Sequence, residues 1–232
     1  MSKRFIEMMK DGDFPLVVSL PYNDPSLARK CFEAGADAIK VHINVYHGAS
    51  KNNFGSFDEQ KEVLTQILKE AKGPVGVVLG GDLALAEKDF DKAVEAGFDF
   101  FSLFSFNASC KVLNQNKITR MLAPRYDWPL ELVDQMKDCG AEIVEASVFG
   151  EEGPEFRISH ATLLKYKNLV EHSKLPVLVP TQVTILPEEV KNLKAVGVSG
   201  IMIGVIVTTH DEENIVNKIK EFRKAIDEMK EA

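Results

Sequence analysis

Short apolar runs alternate with amphipathic stretches from one end of this chain to the other. The pattern is plainest between Pro176 and Ile206, which reads PVLVPTQ, then LPEEVKNLKAVG, then VSGIMIGVI. Neither flanking run alternates between apolar and polar positions, as expected of strands in a parallel sheet with helices over its faces. The middle segment carries helix punctuation. Pro187 at the first helical position, with Glu188 and Glu189 behind it, suits the free N–H groups and positive dipole end of a helix start. Gly197 suits the left-handed turn that stops one. The stretch predicts a strand, a helix and a second parallel strand.

The joint that ends this helix recurs. Ala34-Gly35-Ala36-Asp37-Ala38-Ile39, Ala96-Gly97-Phe98-Asp99-Phe100-Phe101, Cys139-Gly140-Ala141-Glu142-Ile143-Val144 and Val196-Gly197-Val198-Ser199-Gly200-Ile201 each stop an amphipathic helix at glycine and start an apolar strand. Between them Pro15, Pro74 and Pro176 open a second kind of strand. Strict alternation of strand and helix then demands an eighth strand between Gly97 and Gly140, where Thr119 to Arg125 is the only candidate. That interval is 43 residues against 62 and 57 for the other two, which predicts short helices and loops there. The predicted strands are 15–20, 38–44, 75–80, 100–106, 120–125, 142–148, 176–181 and 200–204. The predicted helices fall near 25–34, 57–71, 83–96, 110–117, 129–139, 159–173, 187–196 and 211–230. Eight such units make an α/β fold, the (β/α)8 TIM barrel, with residues 1–232 as a single domain and one (βα)2 module used four times. The longest irregular stretches, Val45 to Phe57 and Gly150 to Ser159, follow strands two and six. They therefore fall on the face where such barrels work, and length there signals a lid or pocket wall.

Composition narrows the partners. With 232 residues, 45% apolar and 27% charged, the chain reads as a globular protein large enough for one sizeable core. A net charge of -7, with no basic cluster longer than a pair, argues against nucleic acid or an anionic membrane as the main partner. A small anionic substrate held by local cations remains the expected partner. Cys31, Cys110 and Cys139 are odd in number and widely spaced, so neither a disulfide framework nor a zinc cluster is indicated, and a reducing cytoplasm is the expected setting. Residues 1–13 are charged where a secretory signal would be apolar.

In a barrel, candidate chemistry lies at the C-terminal ends of strands, because the interior below them is apolar. On the second strand Lys40, His42 and Asn44 alternate with Ile39, Val41 and Ile43, so all three polar side chains should point inward. The sixth strand adds Glu145 and Ser147, the first Ser19, the fourth Ser105 and Asn107, and the fifth Arg125 with Asp127 just beyond it. A carboxylate and a lysine in a dry pocket can act as base and electrophile for proton transfer beside a carbonyl. Lys40, Glu145 and His42 are accordingly the expected catalytic residues, with His42 as proton carrier or electrophile. Ser19, Asn44, Asn107, Arg125 and Gln182 are expected to bind substrate, Arg125 as an anion anchor. Desolvated, Lys40 could instead form a Schiff base, as lyases on barrels do. The purely structural alternative is a core salt bridge from Lys40 to Glu145 with His42 bonded to a neighbour. His42, His47, Asp82 and Glu145 lack any compact ligand spacing, so no metal site is expected, and no cofactor is implied. His160, His172 and His210 read as packing or solvent-side residues.

Barrels that take phosphorylated ligands hold the phosphate where the loops after strands seven and eight meet the start of a short extra helix. Gly204, Val205 and Ile206, with Thr181 on the seventh strand, are the residues here that would form such a cradle. The run from Pro176 through Gly204 resembles the seventh and eighth units of the ribulose-phosphate-binding barrels, which include phosphosugar epimerases, isomerases and decarboxylases. LVVS at Leu16 to Ser19, the joint at Ala34, and the unit from Ala141 to Pro187 look most like N-acetylmannosamine-6-phosphate epimerases. The resemblance implies an isomerase or epimerase acting on a phosphosugar or related carbonyl compound, in a class that often forms homodimers. Two positions depart from that family. Leu79-Gly80-Gly81-Asp82 stands where its catalytic lysine ends strand three, and Pro180-Thr181-Gln182-Val183 where its catalytic glutamate and a glycine end strand seven. The family's catalytic pair therefore does not carry over. A barrel that binds ligand without turning it over is the competing expectation. The segment from Val41 to Phe57 has no counterpart in the epimerase pattern. Its Asn44, His47, Ser50, Lys51, Asn52 and Asn53, between Gly48 and Gly55, suit a lid that touches a sugar or an anion.

Overall fold

Eight parallel strands close edge to edge into a barrel in the computed structural model, which describes residues 4–150 and 157–231. They are β1 (Leu16–Ser19), β2 (Ala38–His42), β3 (Val75–Val78), β4 (Phe100–Phe104), β5 (Thr119–Ala123), β6 (Ile143–Glu145), β7 (Val177–Pro180) and β8 (Gly200–Ile203). Each pairs with its neighbours in sequence, and β8 closes the ring on β1 with Val17 opposite Met202. The TIM barrel expected from the alternation of elements is the fold observed.

The recurring joints work as the sequence implies, and more is legible in them than the glycine. Gly35, Gly97, Gly140 and Gly197 have φ of +111°, +89°, +101° and +90°, a region a side chain would strain. Two residues after three of these glycines stands an acid that accepts a backbone N–H from the start of a neighbouring element. Asp37 accepts from Leu16 at 2.8 Å, Asp99 from Phe5 at 2.9 Å and Glu142 from Arg120 at 3.0 Å. The joint thus turns the chain and satisfies a donor at the N-terminal rim of the barrel.

That rim is stoppered by a helix the sequence reading does not foresee. Phe5–Lys10 lies across the N-terminal end, and Phe5 and Met9 join Val17, Ala38, Phe100, Met121, Ile143, Leu178 and Met202 in the barrel interior. Phe5 stacks on Phe100 at 4.3 Å, and Gly76 leaves the room that ring occupies: a Cβ there would lie 2.1 Å from Phe100 Cε2. A larger cluster outside the barrel packs the helices onto the strands.

Other boundaries shift for local reasons. The fifth strand ends at Ala123 rather than 125, because Pro124 has no N–H to continue the ladder. The helix expected over 83–96 breaks in two at Asp89, a buried carboxylate that accepts from Asn44 Nδ2 at 3.0 Å and from the Phe57 N–H at 2.9 Å. The helix expected over 110–117 is a single turn, Cys110–Leu113, and the one expected over 187–196 begins as a 3-10 turn. After β8 the short helix Val205–Thr208 precedes the last helix, Glu212–Glu231. The stretch expected to be irregular after strand two is a β-hairpin instead, Val45–His47 against Asn52–Phe54. Of the loop expected over 150–159, residues 151–156 lie outside the described residues. No helix among the described residues is long and apolar enough to cross a membrane.

Candidate active site

The C-terminal ends of the strands surround a cavity of about 190 Å3, and a polar pair forms its floor. Lys40 on β2 places Nζ 3.2 Å from Glu145 Oε1 and 3.5 Å from Oε2 on β6. Ser102, on β4, donates its hydroxyl to Oε2 of the same carboxylate. The two charged side chains are only 6% and 14% exposed, so their mutual neutralisation is what makes ionic groups tolerable there. Period-two alternation delivers this arrangement: Lys40 is the middle residue of β2, flanked by Ile39 and Val41 that turn into the outer core.

Above the floor, β7 and β8 supply groups of a different kind. Thr181 Oγ1 accepts the Gly204 N–H at 3.0 Å, tying the end of β7 to the start of the short helix. Val205 and Ile206, at the first turn of that helix, line the cavity, and their N–H groups have no partner within so short a helix. Gln182 Oε1 accepts the Val148 N–H at 3.1 Å, which leaves the amide nitrogen of this cavity-lining side chain as a donor. Ser19 and Ser147 complete the polar wall.

Eight of the expected site residues therefore meet in one place: Ser19, Lys40, Glu145, Thr181, Gln182, Gly204, Val205 and Ile206. Four stand elsewhere. His42 is fully buried beneath the cavity wall, its ring 4.5 Å from His47 and 4.8 Å from Phe54, and neither ring nitrogen has a hydrogen-bond partner among the described residues. Burial, followed by repulsion from His47 and Lys40, holds its pKa well below the ordinary histidine value, so the ring is neutral. Asn44 has left the strand, with φ +53°, and its amide anchors Asp89 behind the barrel rather than facing a ligand. Asn107 donates to the Gly81 carbonyl at 3.1 Å. Arg125 grips Asp127 through two hydrogen bonds of 2.9 and 2.7 Å and lines an adjoining hollow with Phe104, Phe106 and Tyr126. That hollow shares Phe104, Ser147 and Gln182 with the cavity. Among the described residues no three histidine, cysteine or acidic groups gather as metal ligands, and Asp82 caps the helix Leu83–Lys88 by accepting from Leu85.

His47, expected only as part of a lid, joins these residues at the cavity. It lines the cavity from the hairpin, with Nδ1 2.7 Å from Ser50 Oγ, and burial followed by the Lys40 charge lowers its pKa to about 4. The hairpin is fixed over the mouth by two bonds to distant chain: Asn52 Nδ2 donates to Pro21 O at 2.7 Å and His210 Nε2 to Ser50 O at 2.9 Å. His210, read from sequence as a packing or solvent-side residue, is thus one of its tethers. The only sequence signal for His47 was its place in a long segment after a barrel strand.

No protein-family model matches the chain, and no curated protein sequence does. Solved structures do. Thiamine phosphate pyrophosphorylase from Pyrococcus furiosus superposes with a TM-score of 0.68 at 19% identity, over 94% of this chain and 98% of that one. Tryptophan synthase from Mycobacterium tuberculosis gives 0.72 at 13% identity, over 97% and 99%. A mutant tryptophan synthase alpha-subunit from Pyrococcus furiosus gives 0.70 at 17%, over 96% and 99%. At such identities the likeness establishes the TIM barrel over nearly the whole chain. The finer resemblance to phosphosugar epimerases rests on the sequence pattern alone.

Proposed function

We propose that the protein is a small-molecule enzyme that moves a proton beside a carbonyl group, an isomerase or epimerase of phosphorylated sugars or related compounds. The observation that carries this reading is the Lys40–Glu145 pair on the floor of a cavity whose rim is the first turn of the helix after β8. Glu145 removes the proton from the carbon next to the carbonyl, and the Lys40 ammonium faces the oxygen that gains charge as the enolate forms. Glu145 then returns the proton. Delivery to the neighbouring carbon on the same face gives an aldose–ketose isomerisation: one carboxylate carries the carbon-bound proton, while the hydroxyl proton passes from one oxygen to the other, with the Lys40 ammonium giving a proton to the first and taking one from the second. Epimerisation at a single carbon needs a second donor on the opposite face. The phosphate is held by the Val205 and Ile206 N–H groups, with Gln182 and Ser19 as further donors and Thr181 fixing the turn. Two named neighbours, thiamine phosphate pyrophosphorylase and tryptophan synthase, are enzymes on the same barrel.

Thermal stabilisation by phosphosugars, inorganic phosphate and unphosphorylated sugar acids tests the assignment. A ligand at 100 times its dissociation constant adds about 2.7 kcal/mol. Stabilisation by the phosphosugars that is lost in Lys40→Ala supports the reading. Stabilisation by unphosphorylated acids alone would remove the phosphate from it. Borohydride reduction that fixes a carbonyl substrate onto Lys40 would replace proton transfer by Schiff-base lyase chemistry.

A further inference from the structure

We infer that His47 is a neutral hydrogen-bond donor to the substrate, acting through Nε2–H, and that the substrate is an α-hydroxycarbonyl compound. The inference rests on the proton-transfer reading above and adds to it a second oxygen-binding group, carried by the hairpin.

The tautomer follows from Ser50. Its backbone N–H is an obligate donor in a residue only 2% exposed, and its acceptor is His47 Nδ1 at 3.3 Å. The Ser50 hydroxyl lies 2.7 Å from the same nitrogen. A ring nitrogen that accepts cannot carry the proton of a neutral imidazole, so that proton is on Nε2. Burial and the nearby Lys40 charge keep the ring neutral. Nε2 has no partner among the described residues, and the ring lines the cavity alongside Lys40 and Glu145.

The surroundings fix the direction of this donor. His42 packs against the ring at 4.5 Å with the planes tilted by 39°, is itself backed by Phe54, and has no partner for either nitrogen among the described residues. His210 tethers the hairpin at Ser50 in its turn, and Asn52, the first residue beyond the turn, binds Pro21 O. Lys40 and His47 thus present two donors of different kinds, an ammonium and a neutral N–H, to one cavity. Deprotonating an α-hydroxycarbonyl compound gives an enediolate with two adjacent oxygens, one for each donor. A neutral donor adds no second positive charge beside Lys40.

Two measurements test this. Nitrogen NMR of the free protein reads the tautomer directly: His47 should be neutral with the proton on Nε2 at pH 7. An Nδ1–H tautomer or an imidazolium at that pH overturns the assignment whatever the ligand. Binding is then compared for a phosphorylated hydroxamate, which mimics the two oxygens of an enediolate, and ethyl phosphate, which lacks both. His47→Phe keeps a ring on the stack and removes the donor. It should lose roughly 10-fold in hydroxamate affinity with ethyl phosphate unchanged, and His47→Gln, which restores an N–H, should recover most of the loss. Equal hydroxamate binding by His47→Phe and the native protein, or equal loss of both probes, overturns the role. Failure of both probes to bind the native protein overturns the proposed function, an outcome distinct from a wrong tautomer.

Discussion

Lys40 and Glu145 are 105 residues apart in sequence and 3.2 Å apart in space, on strands that face each other across the ring. A pair on opposite strands closes the polar cavity from below, and the apolar interior filled by Phe5, Phe100 and Met202 begins beneath it.

The pair constrains stability as well as chemistry. Removing one partner strands a buried charge, so Lys40→Met and Glu145→Gln should each cost about 3 kcal/mol. The double variant should recover much of that, since a buried ion pair is roughly exchangeable for neutral groups of similar volume. Urea unfolding of the three variants checks it. Strict additivity would mean the two side chains are not coupled.

The N-terminal helix should behave as part of the core. Phe5→Ala removes a fully buried ring and should cost about 3–5 kcal/mol. Gly76→Ala pushes a methyl into Phe100 and should cost about 1–3 kcal/mol. Because Phe5 pins the other side of that ring, the two changes should couple. In Phe5→Ala the Phe100 ring can shift, and adding Gly76→Ala should then cost less than it does alone. Equal costs in both backgrounds would place Phe5 off the ring.

Acid should weaken the fold as its buried histidines are driven to take up protons. His42 and His47 have pKa values below the ordinary 6.5, His47 at about 4, whereas in the unfolded chain both take up protons near 6.5. The unfolded state therefore binds more protons between about pH 6.5 and 4, and stability is lost as pH falls through that window. Urea midpoints measured at pH 7, 6, 5 and 4.5 should decline, and the decline should flatten in the variant His42→Phe/His47→Gln. An unchanged slope in that variant would assign the effect to other groups.

The barrel was legible because its signals are local and repeated. Each joint glycine sits where the chain must turn left-handed, and Pro15, Pro74 and Pro176 sit where strands begin. The Lys40–Glu145 pair was legible for a related reason, since alternation on a strand fixes which side a residue faces. What escaped lies where tertiary contacts override local pattern. The helix Phe5–Lys10 is short and flanked by charge, and only the N-terminal end of the barrel gives its Phe5 and Met9 a place to be buried. The hairpin strands Val45–His47 and Asn52–Phe54 are too short for periodicity, and Asn52 and Asn53, with Gly48 and Gly55 outside the strands, read as loop. Asn44 followed the alternation on paper but turns to φ +53° at the strand end and binds Asp89. Arg125 moved out of the cavity because Pro124 ended its strand early and Asp127 offered a bidentate partner.

Exchange of the substrate proton with solvent tests the central claim most directly. Phosphorylated aldoses and ketoses incubated with the protein in deuterium oxide should gain deuterium at the carbon beside the carbonyl, read by proton NMR. Glu145→Gln should abolish that gain while still binding the compound. Deuterium incorporation by Glu145→Gln at the native rate, or ligands bound by the native protein with no exchange at all, would contradict the assignment of Glu145 as the base.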